Sequence, residues 1–360
     1  MKILQMTHQG DIGGSTNSIT WLTRGLAARG HQVTLACRPE SLIASRFQDG
    51  PVTLAPLDLA RGIRLAGQAR TWKRWIQEER FDVVNAHASL DRHLLSYARM
   101  LGLRAAIVHT RRNVALSTGG RLRAWFDART TDAVIAVSGE VGADLVRRGL
   151  PRDHVHVVRN GLPLSELPQP DPDRVAALRD ELALRAGVPV LGVLARRKSQ
   201  PELLRAAGEL NRPLEILLAG VEEDEELRVA REQLPDAVRS RCLGFRDDVA
   251  DLSALLDVFV LPSTIEGFSL ALLEAMARGL PCVASDAGGN REALDEGAGL
   301  IYPPGDVPAL AQALRGLLDR PEEARRMGER ASRRAHAEFD VSRTVERTEA
   351  VYTHALEGAG

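Results

Sequence analysis

Residues 257–292 run DVFVLPSTIEGFSLALLEAMARGLPCVASDAGGNRE and set two glutamates, Glu266 and Glu274, eight positions apart. An apolar run at 258–261 ends in Leu261-Pro262-Ser263, a loop carries Glu266-Gly267-Phe268, and a helical pattern opens near Ser269. The unpaired N–H groups and positive dipole end of such a helix suit a diphosphate. Two carboxylates beside it would accept hydrogen bonds from sugar hydroxyls, one in the loop and one deeper in the helix. Gly267 lets the backbone approach a ligand closely. Elsewhere, Gln9-Gly10-Asp11-Ile12-Gly13-Gly14-Ser15 joins a first strand to a helix opening at Ser15 or Thr16, again a turn that admits a ligand to the backbone. It lacks the G-x-G-x-x-G spacing, and Arg38 rather than an acidic residue follows the second strand, which speaks against a dinucleotide. The nine histidines show no H-x-x-H or H-E-x-x-H spacing, so a metal site has little support.

These residues need a scaffold, and the chain supplies a regular one. Apolar runs at 2–6, 33–37, 82–87, 105–109, 132–137 and 155–158 read as buried strands, with helical periodicity at 15–29, 65–79, 91–101 and 139–148. The rhythm repeats with strands at 190–194, 214–219, 257–261, 281–285 and 298–302, and helices at 201–210, 224–234, 269–278 and 306–319. Strand–helix alternation of this kind predicts an α/β fold of two doubly wound, Rossmann-like domains. The segment LPLSELPQPDPD (162–173), with four prolines, reads as the linker between residues 1–165 and 166–340. Arg-, Glu- and Ala-rich helices are expected at 321–338 and 343–357.

Composition narrows the class. With 360 residues, 44% hydrophobic and 26% charged, the chain is globular and large enough for two cores. Cys37, Cys242 and Cys282 lie far apart without C-x-x-C spacing, as expected of a protein in a reducing cytosol. MKILQMTHQGD reads as a first strand rather than a signal peptide, and no run of about 18 apolar residues exists to span a bilayer. The net charge of −1 hides an asymmetry: residues 1–165 carry 23 Lys+Arg against 13 Asp+Glu, the remainder 24 against 35. A basic first half points to an anionic partner, with no sign of a nucleic-acid motif.

The segment around Glu266 resembles the signature of family 4 of the retaining glycosyltransferases, GT-B-fold enzymes that use nucleotide sugars. LGFRDDVADL (243–252), LDVFVLPS (256–263), residues 266–292 and IYPPGDVPALAQAL (301–314) all fall in that family's order and cover most of the second half. The resemblance implies two domains facing across a cleft, the last helix returning to the first domain, and a UDP- or GDP-linked sugar as substrate with neither cofactor nor metal. It implies that Glu266 contacts the donor sugar and supports charge at its anomeric carbon, and that Glu274 binds the nucleotide ribose. The amides around Gly267, Phe268, Ser269 and Leu270 would hold the distal phosphate and sugar, with Gly244-Phe245-Arg246 near the nucleobase. Arg196 and Lys198 would clamp the leaving diphosphate. This chain departs there: the loop is about three residues short and Ser199 stands where the family has Gly, so Arg197 also competes for either role. Gly13 and Gly14 match the loop facing donor phosphates and acceptor. His109, which ends a strand in IVHTRRN, matches a histidine lining the donor-sugar pocket and is taken as catalytic. His87, in VVNAHAS, is a second candidate on the acceptor side with Arg111 and Arg112. Asp171-Pro172-Asp173, a D-x-D, falls in the linker and is not assigned a metal.

Residues 111–130 hold five arginines, with Leu122, Trp125 and Phe126 at i, i+3 and i+4. Three readings stand: a helix resting on an anionic membrane, an acceptor-binding helix recognising phosphate or carboxylate, or a helix packing its apolar face on the sheet. The expected activity is metal-independent, retaining transfer of a hexose to a hydroxyl of a glycolipid, polysaccharide or lipopolysaccharide-type acceptor, in the cytoplasm or on the inner face of its membrane. The alternatives are a nucleotide-sugar 2-epimerase of the same fold, a transferase acting on a small natural product, and a non-catalytic nucleotide-sugar binder.

Overall fold

A computed structural model describes residues 1–60, 62–113 and 120–358. It divides the chain into two compact units, residues 1–163 with 341–360, and residues 164–340.

The first unit is built on a parallel sheet of seven strands: β1 (Lys2–Thr7), β2 (Gln32–Cys37), β3 (Thr53–Pro56), β4 (Val83–Ala86), β5 (Ala106–Arg111), β6 (Ala133–Ala136) and β7 (Val155–Val157). Their order is β3-β2-β1-β4-β5-β6-β7. Strands β1, β4, β5 and β6 are buried on both faces, which is why their sequences are apolar without alternation. The order reverses between β1 and β4, the position where such sheets open a crevice at the carboxyl ends of their strands. Helix Val341–Gly358 belongs to this unit: Val345, Val351 and Tyr352 are buried with Ile3, Leu22, Leu26 and Val83. Gly25 permits that approach, since a Cβ there would lie 2.4 Å from Val345 Cγ2.

The second unit repeats the plan with β8 (Val190–Leu194), β9 (Leu214–Ala219), β10 (Val238–Cys242), β11 (Val258–Leu261), β12 (Cys282–Ser285) and β13 (Leu300–Tyr302), all parallel. The order is β10-β9-β8-β11-β12-β13, so the reversal lies between β8 and β11. Its core joins Leu191, Val193, Ile216, Leu218, Val260 and Val283 to Leu203, Leu227, Leu310 and Leu314 of the covering helices.

The proline-rich stretch is less of a linker than its composition predicts. A helix runs Pro172–Glu181, with Pro172 in its first turn and Asp171 as N-cap accepting from the Asp173 N–H at 2.9 Å. Asp171 and Asp173 of the D-x-D are thus a helix start. The segment 111–130 also differs from the simplest expectation. Helix Arg121–Thr130 buries Ala124, Asp127 and Thr130, leaving Leu122 86% and Trp125 56% exposed. Residues 114–119 of that segment lie outside the described residues. No helix among the described residues is long and apolar enough to cross a membrane.

Candidate active site

The two strands that flank the reversal in the second unit deliver the two residues of greatest chemical interest. Lys198 follows β8 and Glu266 follows β11, and Lys198 Nζ lies 2.7 Å from Glu266 Oε1. Ser263 Oγ also donates to that carboxylate at 2.9 Å. Glu266 is buried, so a fixed ammonium and a hydroxyl replace the water it has lost.

The short loop after β8 is held by its own backbone and one side chain. The Ser199 N–H donates to Pro262 O at 2.9 Å, tying it to the loop after β11. The fully buried Gln200 accepts from the Lys198 N–H at 2.7 Å and donates to Arg196 O at 3.1 Å. Arg197 is committed elsewhere, to Asp224 at 2.8 Å and Glu226 at 2.6 Å. Of the competing basic residues, Lys198 is therefore the one the fold brings to Glu266, while Arg196 is exposed. Gly220 completes the arrangement: with φ +89°, its missing Cβ would stand 2.8 Å from the Ala195 carbonyl.

Downstream, Ser269 caps helix Leu270–Ala277, its side chain accepting from the Leu272 N–H. Phe268 and Leu270 are buried beside it. Glu274 lies in the middle of this helix, half-buried, and no group among the described residues donates a hydrogen bond to its carboxylate. Burial raises its pKa from the ordinary value, with Arg278 one turn on opposing the rise. The loop carrying Glu266 rests on a glycine pair. The Gly289 N–H donates to Gly267 O at 2.8 Å. A Cβ on Gly288, at φ +54°, would meet Glu266 O at 2.2 Å. Ser285 Oγ accepts from the Ser263 N–H and donates to Ser263 O, at 2.9 and 2.6 Å, and Asn290 holds Ser285 O at 3.1 Å. Gln200, Ser263, Ser285 and Gly288 carry no role in the sequence reading. The double glycine after β12 was the only legible signal among them. At the end of β10, Phe245 is 63% exposed, while Arg246 is fastened to Asp248.

In the first unit, the structure separates the predicted residues into two groups. His87, after β4, is buried and neutral, its pKa driven well below the ordinary value by burial and then by Arg112. Its Nε2 donates to Gln5 Oε1 at 2.6 Å, and its Nδ1 accepts from Arg112 at 3.1 Å. Arg112 donates further to Ser18 Oγ at 2.8 Å. Gln5 and Asn85 both reach Tyr352 of the last helix, at 2.9 and 2.7 Å. His109 lies apart from this network. It is buried and also held neutral, by burial first and then by Arg92, Arg111 and Arg123. Its Nε2 has no hydrogen-bond partner among the described residues. Gly13 directly precedes helix Gly14–Ala28, whose N-terminus has no side-chain cap.

Two doubly wound α/β units, one with a lysine, a carboxylate and a helix N-terminus gathered at its strand-order reversal, define the class of architecture. The family model of Glycosyltransferase Family 4 matches residues 12–166, and that of Glycosyl transferases group 1 matches residues 185–334. The chain is 32% identical over 301 residues to MMP alpha-(1->4)-mannosyltransferase of Mycolicibacterium hassiacum, covering 77% of this chain and 71% of that one. It is 26% identical to N-acetyl-alpha-D-glucosaminyl L-malate synthase of Bacillus anthracis, over 96% of this chain and 95% of the other. The Anabaena protein HepE, solved in complex with UDP and glucose, shares the fold with a TM-score of 0.83 at 22% identity, over 98% and 99% of the two chains. The chain belongs to the group 1 and family 4 glycosyltransferases, and it has their GT-B fold.

Proposed function

We propose that this glycosyltransferase moves a hexose from a UDP- or GDP-linked donor to a hydroxyl of an anionic acceptor, with retention and without a metal. The observation that carries the reading is the Lys198–Glu266 pair at 2.7 Å, beside the capped helix N-terminus and at the strand-order reversal. As the bond between the anomeric carbon and the phosphate oxygen breaks, the electron pair goes to the diphosphate. Lys198, Arg196 and the amides near Phe268, Ser269 and Leu270 take up that charge. Glu266 supports the positive charge left on the sugar. The acceptor oxygen bonds to the anomeric carbon, and its proton passes to the departing phosphate. Retention is taken over from the family resemblance of residues 243–314. Glu274 suits the ribose, since a half-buried carboxylate with no donor among the described residues gains two hydroxyl donors on binding. Phe245 offers an exposed ring for the base. By the family resemblance, His109 lines the donor-sugar pocket as a catalytic residue, His87, Arg111 and Arg112 are acceptor-side residues, and Gly13 and Gly14 face the donor phosphates.

The donor is supported by the UDP and glucose bound to the Anabaena protein, and an anionic acceptor by the malate in the name of the Bacillus relative. The test is release of nucleoside diphosphate from UDP- and GDP-sugars in excess chelator, with the product anomer assigned by NMR. Full activity and a retained anomer are expected. Activity that disappears and returns with manganese would sink the metal-free reading, and an inverted anomer would sink retention.

A second reading concerns membrane contact in the cytoplasm. Helix Arg121–Thr130 exposes Leu122 and Trp125 with Arg121 and Arg129, and the Arg129 guanidinium lies 4.5 Å from the centre of the Trp125 ring. Exposed apolar side chains amid arginines suit the interface of an anionic bilayer. Flotation with phosphatidylglycerol vesicles should show binding that weakens with salt and falls at least tenfold in Leu122→Ser/Trp125→Ser. Absence of binding at low salt would remove this reading and leave a soluble acceptor.

A further inference from the structure

Helix Ser89–Met100, the end of β5 and helix Arg121–Thr130 bring three guanidiniums, Arg92, Arg111 and Arg123, to bear on one another. The two helices are joined directly, Thr130 Oγ1 donating to Ser96 Oγ at 3.0 Å. One carboxylate touches this group among the described residues: Asp127, which Arg123 meets at 2.9 Å. The neighbouring carboxylates are already committed. Asp91 accepts from the His8 and Ala88 backbone N–H groups, both at 3.0 Å, and lies 2.8 Å from the His8 ring. Asp144 pairs with Arg148 at 2.7 Å. Arg92 and Arg111 are half-buried and find no hydrogen-bond acceptor or ion-pair partner among the described residues. Arg92 Nε is wholly shielded from water without a partner, and so is His109 Nε2 between the same arginines.

Charges withdrawn from water are costly unless paired, and like charges gathered together add to that cost. Burial and Arg111 lower the Arg92 pKa to about 10, which still leaves it charged at neutral pH. Three positive charges thus face Asp127, while Asp91 and Asp144 act on Arg92 and Arg111 from positions where other donors hold them. A planar guanidinium fork matches the oxygens of a phosphate or carboxylate two at a time, and His109 adds a ring nitrogen. Arg112 is not part of this group, since its donors go to His87 and Ser18.

We propose that Arg92, Arg111 and Arg123, with His109, form a binding site for a phosphate or carboxylate group of the acceptor. The assignment rests on the transferase reading above for the word acceptor, and on the unpaired guanidiniums for the site itself.

The test is titration of the intact protein with inorganic phosphate, glucose 1-phosphate and vesicles containing phosphatidic acid, all in saturating UDP so that the donor site is filled. Wild-type protein should bind at least one of these probes. Arg92→Gln should weaken that binding at least tenfold, while UDP affinity and hydrolysis of the donor by water stay unchanged. Glucose 1-phosphate as the responsive probe assigns a soluble acceptor, and the vesicles a lipid headgroup. Should Arg92→Gln fail to fold, Arg92→Lys keeps the charge and loses the fork, and a weaker loss of binding is expected. Equal binding of every probe by wild type and variants, or none by wild type, overturns the site. Failure to bind any nucleoside diphosphate would instead overturn the donor reading, with phosphate titration in its absence still testing the arginines.

Discussion

Lys198→Ala should lower the turnover of a nucleotide-sugar donor by about 10²- to 10³-fold, or roughly 3–4 kcal/mol in the transition state, the usual effect of removing one fixed donor to a developing oxyanion. Glu266→Gln should cost a similar factor, and the two variants should separate in how they bind nucleotide. On the proposed reading Lys198 meets the diphosphate already in the ground state, so its loss should weaken UDP or GDP as well as turnover. On the same reading Glu266 meets only the sugar. Its neutralisation also frees the Lys198 ammonium from a partner 2.7 Å away, so nucleoside diphosphate should bind as well as before or more tightly. Glu274→Ala should show the opposite division, with nucleotide affinity at least tenfold lower and turnover at saturating donor little changed. The loop should survive the loss of Lys198, because Ser199 and Gln200 hold it through Pro262 and Arg196. Calorimetric titration with UDP and GDP, set beside steady-state rates, makes the comparison. Lys198→Ala and Glu266→Gln that both turn over like wild type would remove the assignment.

Much of this was legible because parallel strands buried on both faces are written as unbroken apolar runs. VVNA, AVIA and VFVL declare themselves. The strands that escaped, β3 (TLAP) and β10 (VRSRC), are two of the four edge strands, partly exposed and owing their place to one neighbour. Local chemistry was readable in principle where it was overlooked, as at Asp171-Pro172, a standard cap and first-turn pair. Choices among neighbours were not readable. Arg196, Arg197 and Lys198 are interchangeable on paper, and their roles separate only because Asp224 and Glu226, some 30 residues on, claim Arg197. In the same way Leu122 and Trp125 have the spacing of a core-facing stripe. The face that turns inward instead carries Asp127, because Arg123 is there to pair with it.

Gly288→Ala tests the part of the site that no motif announces. Gly288 makes no chemical contribution of its own, yet an added Cβ would stand 2.2 Å from Glu266 O, 2.6 Å from its carbonyl carbon and 3.2 Å from its Cβ. The first two obstacles are backbone, which cannot rotate away, so the peptide bearing Glu266 must shift or the turn at Gly288 must open. Either movement breaks the register set by the 2.8 Å bond from Gly289 N to Gly267 O. The positive φ of +54° adds strain for any L-residue, of order 1–2 kcal/mol. Displacing a reacting group by about 1 Å is enough to cost about 10²-fold in rate, and that is the loss expected in turnover. Gly30→Ala supplies the matched control. It imposes the same handedness at φ +86° with nothing within 4 Å of the new methyl. It should therefore lose stability through strain while turning over normally. Melting curves and donor turnover on the two variants separate collision from strain. If Gly288→Ala keeps wild-type turnover, the position of Glu266 is not what the reaction depends on.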